Sequence, residues 1–368
     1  MIKKELYKQL MMLVPVKPST KNFSSTLDER FKVYQKIIES LDEVDRPDQW
    51  DELLHRVNQL CAGIKRAINA ENTGRRHSAY AIIKNQLDGY KSQGAEIKGL
   101  REYAEYIYVI PEGTSFYRMR EMKPQERKGM TVKDIFHIPF DKRGIVPTNR
   151  YSVPGYPCLY LSRYVYGCWE ELERPDFGTI MVSRFENNEA IRLLDLRIPS
   201  KEKWETDMTN CLIYFPLVIS TMIQVKNPED NYKPEYTIPQ LLMEWLISHN
   251  HGSHEEDRFI GIAYTSAQKN DDFNFPEDSF DNYAIPVVKP KVRSKSKYCD
   301  KLKGIFKATT PTYYDFEVLR YGHGIDAGTL GLTDEEQKKE NMRLSQFGDM
   351  ETFLNESIKE LLEINDAD

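Results

Sequence analysis

The 368-residue chain has no C-x-x-C pair, no P-loop, no G-x-S-x-G and no H-E-x-x-H. No apolar run approaches the roughly 20 residues needed to cross a bilayer. Cysteine is scarce: five residues (Cys61, Cys158, Cys168, Cys211 and Cys299) form an odd set without paired spacing. Such a set predicts reduced thiols and a cytoplasmic address. The apolar run at 10–14 is too short for a secretory core and leads into Pro15 rather than a small-residue cleavage site. Basic charge is not in excess either. A formal net charge of −6 supplies no overall field for nucleic acid or anionic membrane, so neither partner is expected. With 40% apolar and 29% charged residues, collagen-like, disordered and membrane classes are excluded. The length allows about two domains, or one with extensions, and a core that needs no disulfide or metal staple.

Aromatic residues are plentiful: 22 Tyr, 16 Phe and 4 Trp. Tyrosine offers a flat apolar face and a polar tip, which suits a pocket for flat cyclic ligands. A tyrosine-rich β core accounts for the same surplus, and is the expectation for most of these residues.

Residues 24–107 carry helical patterning. Ser25 and Asp28 resemble a capping box opening a helix over 27–41. Leu53, Leu54, Val57, Leu60, Cys61, Ile64, Ala67 and Ile68 recur at helical spacing with charges between them. Further helices are predicted over 77–90 and from Ile97 toward Tyr106. Near Tyr108 the period changes. Short β-branched or aromatic runs at 106–110, 115–119, 158–162, 179–185, 191–196, 261–266 and 282–288 predict strands, with helices at 164–173 and 239–249 between them. The resulting class is α+β, without the alternation of a doubly wound sheet. A charged helix from Thr333 and an amphipathic helix with Phe353, Leu354, Ile358, Leu361 and Leu362 on one face close the chain. That face is suited to the core or to another subunit, so a homo-oligomer is one expectation.

Several chemical signals have bland explanations. His249, His251 and His254, followed by Glu255, Glu256 and Asp257, lie where a helix gives way to a loop, and no spacing puts three ligands on one rigid face. No metal site is expected there. The basic stretch Lys289, Lys291, Arg293, Lys295, Lys297, Lys301 and Lys303 reads as a solvated surface. The glycine-containing segment Gly322-His323-Gly324-Ile325-Asp326 does not match a dinucleotide fingerprint.

The central pieces differ. Phe116-Tyr117-Arg118-Met119-Arg120 puts charge into a strand-like run. Asn149-Arg150-Tyr151-Ser152 is a polar turn ahead of the strand Cys158-Leu159-Tyr160-Leu161-Ser162. Glu171 follows Tyr160 by eleven residues, and Tyr264-Thr265-Ser266 ends a late strand. In joint order and spacing these pieces resemble the RES family, named for its Arg, Glu and Ser. The family pattern is a strand ending Tyr-Arg, a Gly-Arg-Phe-Asn turn, a Leu-Tyr-Leu-small strand, an acid eleven residues after that Tyr, and a late Tyr-x-Ser. The likeness covers about 115–270 and continues more weakly to Pro311; Glu235-Tyr236-Thr237-Ile238-Pro239-Gln240-Leu241 also looks like a helix start of larger members. The turn departs from the pattern, with Asn149 for Gly and Ser152 for Asn. Glu170 adjoins Glu171, leaving two acids, of which spacing favours Glu171.

The resemblance implies an ADP-ribosyltransferase-like mixed β core over 106–316, an all-helical region over 1–105 and a helical tail over 317–368. The first region is then a regulatory or partner-binding extension whose removal leaves the chemistry intact. The implied activity is NAD phosphorolysis or NAD hydrolysis, often in toxins held by an antitoxin, with ADP-ribosylation of a protein, or a catalytically weak NAD- or partner-binding module, as alternatives. NAD is the substrate, inorganic phosphate or water the acceptor, and no permanently bound cofactor is implied. The residue types fit this chemistry. Nicotinamide leaves as a neutral base, so one carboxylate, Glu171, suffices to stabilise the ribosyl cation, unlike the pair used on ordinary glycosides. Arg118 first and Arg150 second would pair with pyrophosphate. Tyr160 and Tyr117 would stack on nicotinamide, and Ser266 would make a polar contact.

Overall fold

Apolar periodicity of both kinds is realised in three dimensions, and the protein is α+β. The structure, a computed structural model, describes residues 4–92, 95–100, 107–270, 272–288, 296–313 and 333–364. Helices α1 (Lys4–Met11), α2 (Phe23–Glu39), α3 (Trp50–Asn72) and α4 (Arg76–Asp88) precede a hairpin of β1 (Gly89–Ser92) and β2 (Ala95–Lys98). Then come β3 (Ile107–Ile110), β4 (Ser115–Glu121), α5 (Val132–Ile135), β5 (Cys158–Ser162) and α6 (Val165–Glu171). After β6 (Ile180–Asn187) and β7 (Ile191–Leu196) follow α7 (Lys201–Thr206), α8 (Met208–Thr221) and α9 (Thr237–Gly252). Strands β8 (Gly261–Thr265), β9 (Asp281–Pro286) and β10 (Phe306–Ala308) alternate with α10 (Asp300–Ile305), before α11 (Asp334–Arg343) and α12 (Gln346–Glu356).

The chain divides into two compact units, each assembled from separated stretches. The first comprises 1–108, 147–154 and 193–267. Its α3 buries Leu53, Val57, Leu60, Cys61, Ile64, Ala67 and Ile68, the face its spacing predicts. Helices α2, α3 and α4 pack on α8 and α9. Every residue of α8 from Cys211 to Thr221 is buried, as a helix apolar all round requires. Leu193–Leu196 of β7 run parallel to Gly261–Tyr264 of β8. All-round apolarity hides a helix from a periodicity reading, and α8 is absent from the predicted elements for that reason.

The second unit comprises 109–146, 155–192 and 268–368. Its sheet runs β10-β6-β4-β5-β9 and is antiparallel throughout. β4 pairs with β6 over seven residues, from Ser115 opposite Glu186 to Glu121 opposite Ile180. β5 pairs with β9 over its whole length, setting Tyr160 opposite Ala284 and Ser162 opposite Asn282. Between β4 and β5 the register holds only Tyr117 opposite Ser162. A cluster of Tyr117, Met119, Val165, Tyr166, Val182, Phe280, Phe347, Met350 and Leu354 joins sheet, α6 and α12.

Several expected boundaries are corrected. The helix from Ile97 does not form at its start: Ala95–Lys98 is a strand paired with Gly89–Ser92, so the N-terminal region is not all helical. β1 begins at Gly89, whose φ of 77° stops α4 and turns the chain into the hairpin. The cap of α2 is Asn22, which accepts from the Ser25 amide; Ser25 lies inside the helix. The last helix ends at Glu356, and Leu362 instead bridges Ala308. Predicted features at 101–106, 289–295 and 314–332, including Tyr106, Lys289, Lys291, Arg293, Lys295 and the segment Gly322–Asp326, lie outside the described residues. Of the surplus tyrosines, Tyr34, Tyr151, Tyr166, Tyr214 and Tyr283 are fully buried, as a tyrosine-rich core predicts.

Candidate functional site

In the second unit the sparse pairing of β4 with β5 leaves backbone groups for side chains to satisfy. Arg118 Nη1 donates to the Tyr160 carbonyl at 2.7 Å. The side chain is half-buried, and its Nε is enclosed without a hydrogen-bond partner among the described residues. Burial, and then Arg120, pull the guanidinium down to about 10, so it stays charged at neutral pH. Two further groups feel this charge, Cys158 on β5 and Cys168 on α6. Burial pushes both thiols up to about 12, which leaves no thiolate nucleophile at neutral pH.

Glu171 ends α6. Its carboxylate is exposed, and Oε1 accepts from Asn282 Nδ2 at 2.8 Å. Its charge also reaches Cys168, so Arg118 and Glu171 act on one thiol from opposite signs. Glu170 has a different environment. It is 3% exposed, and its Oε2 is held by Arg174 Nε at 3.0 Å. Arg174 pairs with Asp272 as well. The two neighbouring acids therefore divide into one clamped carboxylate and one that faces solvent.

Tyr117 is turned into the apolar cluster, where its hydroxyl accepts from Asn355 Nδ2 at 2.9 Å. Its neighbour Arg118 reaches the Tyr160 carbonyl, as alternation along a strand allows. The second unit thus brings Arg118, Tyr160, Glu171 and Asn282 onto β4, β5, β9 and α6, while Tyr117 belongs to its core.

Arg150 and Ser266 belong to the first unit. The turn is closed by reciprocal bonds, Asn149 N to Ser152 O at 2.9 Å and Ser152 N to Asn149 O at 3.2 Å. Gln240 Nε2 on α9 donates to Thr148, Asn149 and Ser152, so Asn149 and Ser152 make a defined turn in spite of departing from the family pattern. Arg150 Nη1 donates to the carbonyls of Thr221 and Ile223, at 2.9 and 3.0 Å, and its guanidinium lies over Tyr236. That engagement satisfies the C-terminal end of α8. Tyr151 and Tyr264 pack ring to ring at 4.7 Å. Ser266, at the end of β8, is completely buried.

Sequence reasoning passed over Asn282 and assigned Gln240 only to a helix start. The available signal was a polar amide in an otherwise apolar element, Asp-Asn-Tyr-Ala-Ile in one case and Ile-Pro-Gln-Leu-Leu in the other. His249 stacks on Trp245 with centroids 5.1 Å apart. No group of three potential metal ligands occurs among the described residues, and no helix among them is long and apolar enough to cross a membrane. Lys303 and Lys297 pair with Asp300 and Asp141.

No protein-family model matches the chain. No solved structure matches it. It is similar to a protein of Bacillus subtilis (strain 168) named "Putative toxin YopC", with 32% identity over 299 residues. The matched part is 77% of this chain and 64% of that relative, so the chain spans just under two thirds of the relative's length.

Proposed function

We propose that this protein is an NAD-cleaving enzyme with RES-type chemistry on an ADP-ribosyltransferase-like core, acting as a toxin or defence effector. The observation that carries the reading is the presence, in one unit, of the charged Arg118 guanidinium of β4 docked on the Tyr160 carbonyl of β5 and of an exposed, amide-held carboxylate at Glu171. Their order and spacing are those of the RES pattern. The name of the Bacillus relative supports the toxin part, and with it an antitoxin partner.

The chemistry follows from the charges. As the bond between nicotinamide nitrogen and ribose carbon breaks, its electron pair leaves with nicotinamide. No proton has to be delivered to that leaving group. The ribosyl carbon gains positive charge, which the Glu171 carboxylate stabilises. Arg118 offers a permanently charged fork to pyrophosphate. Tyr160 supplies an aromatic face; Ser266, completely buried, is the weaker candidate for a polar contact. Arg150 is spent on the end of α8 and is the weaker pyrophosphate candidate. Phosphate or water then attacks the ribosyl carbon, giving a phosphorylated ADP-ribose or ADP-ribose.

The test is incubation of the purified chain with NAD, with and without phosphate, following nicotinamide and the ribose product by chromatography. Release of nicotinamide supports the reading, and the product identifies the acceptor. Folded protein that releases none under either condition refutes it.

A further inference from the structure

We propose that Asn282 is a positioning residue that orients the Glu171 carboxylate toward the ribosyl cation, an inference that rests on the NAD-cleavage reading. Glu171 lies at the last turn of a short helix and is exposed, where a carboxylate ordinarily samples several rotamers. The amide that holds it is unlike a surface partner. Asn282 is 2% exposed and sits in β9, opposite Ser162 of β5, so its backbone is fixed by the sheet. Nδ2 donates to Glu171 Oε1 at 2.8 Å, which leaves the second carboxylate oxygen for substrate. The Asn282 Oδ1 is buried without a hydrogen-bond partner among the described residues. Keeping a half-satisfied amide inside a sheet is costly. Among the described residues, what that side chain does in return is bond Glu171.

The helix is set down on this strand with little tolerance. A Cβ added at Gly167 would lie 2.3 Å from Ser162 Oγ, 2.7 Å from the Ser279 carbonyl and 3.5 Å from Asn282 Oδ1. Glu171 is four residues on, on the same face of α6. Gly167 thus brings the helix close enough for the Glu171 carboxylate to meet a strand amide. The arrangement is a glycine contact, a buried donor and an exposed acceptor in line.

The experiment measures kcat and KM for nicotinamide release by wild type, Asn282→Leu, Asn282→Asp and Asn282→Ser, with melting temperatures for each. A variant that does not fold is set aside for the next in that series. Orientation of a group that acts in the transition state predicts kcat lower by roughly 10- to 100-fold with KM for NAD within about threefold. Asn282→Asp should lose most, because its carboxylate faces Glu171 and cannot donate when ionised. Unchanged kcat in folded variants, or kcat falling together with a matching rise in KM, overturns the positioning role while leaving NAD cleavage standing. Wild-type protein that releases no nicotinamide removes the NAD reading and this inference together.

Discussion

The hydroxyl of Tyr34 donates to the backbone carbonyl of Leu212, which lies four residues before Pro216. Proline has no amide hydrogen, so Pro216 cannot bond that carbonyl within α8. A phenol from α2 takes the place of the missing donor inside the buried stretch of α8. The link spans 178 residues of sequence, and it ties the N-terminal helices to the core of the first unit.

Tyr34→Phe should therefore destabilise the chain by about 1–3 kcal/mol, the cost of an unpaired buried carbonyl. Adding Pro216→Ala restores an in-helix donor and should recover part of the loss. Urea unfolding of the two single variants and the double variant checks this; additive losses would show that the carbonyl is not the shared element.

Read from the sequence, residues 1–105 are an extension whose removal leaves the chemistry in place. The packing of α2, α3 and α4 on α8 and α9 leads to the opposite prediction, because it strips the cover from apolar helices. The truncated chain should aggregate or lose its cooperative melting transition, read by size-exclusion chromatography and circular dichroism. A soluble, cooperatively folding truncation would mark these helices as dispensable.

Glu171→Gln should lower nicotinamide release by at least about 100-fold while NAD still binds. Glu170→Gln should act differently, reducing melting temperature through the loss of Arg174's buried partner and sparing most turnover. Parallel assays of release and melting separate the two acids. The reverse pattern would move the reactive carboxylate by one residue.

Gly167→Ala should cost about 1–3 kcal/mol, since one of its close neighbours is the Ser279 backbone carbonyl, which no side-chain rotation relieves. Adding Ser162→Ala should recover only part of that. Chemical denaturation of the pair measures the difference, and a wild-type midpoint for Gly167→Ala would refute the close approach.

Glu351 on α12 accepts from the Val165 amide at the start of α6 at 2.8 Å. Burial pushes its carboxyl up to about 7, aided by Asp278 and opposed by the Val165 amide and Arg163. Its folded value lies above the usual carboxylate range, so the folded chain holds this proton more tightly than the unfolded one. The resulting stability is complete in acid and fades as pH climbs to about 7. Glu351→Gln keeps an acceptor without the charge, and should raise stability at pH 8 by roughly 1–3 kcal/mol. Melting curves from pH 5 to 8 should be flatter for the variant; parallel curves would reject the assignment.

Much of the fold was legible where polarity alternates. The buried face of α3 follows from apolar spacing, because one side of that helix faces the core and the other faces out, whereas β5 and β8, buried along nearly their whole length, were legible as short apolar runs with turn residues at their ends. Where an element has no polar side the signal disappears, and α8 is such a case. The hairpin at 89–98 escaped because its short strands lack a repeating pattern; Gly89 ends α4 and begins the first of them. Of the residues assigned to the candidate site, order and spacing single out Arg118, Tyr160 and Glu171, whereas the Asn282–Glu171 contact leaves no local signal because the two lie 111 residues apart.

The sequence alone determined the α+β class, the helical faces, the reduced cysteines and the order of the residues to which NAD chemistry is assigned. Tertiary structure decided that Glu170 is clamped by Arg174 while Glu171 meets Asn282. It also decided that Arg150 caps α8, that Tyr117 belongs to the core, and that the N-terminal helices cover α8 and α9. The reason is physical. Periodicity records which side of an element avoids water, whereas the partner of a single hydrogen bond is set by packing between elements distant in the chain.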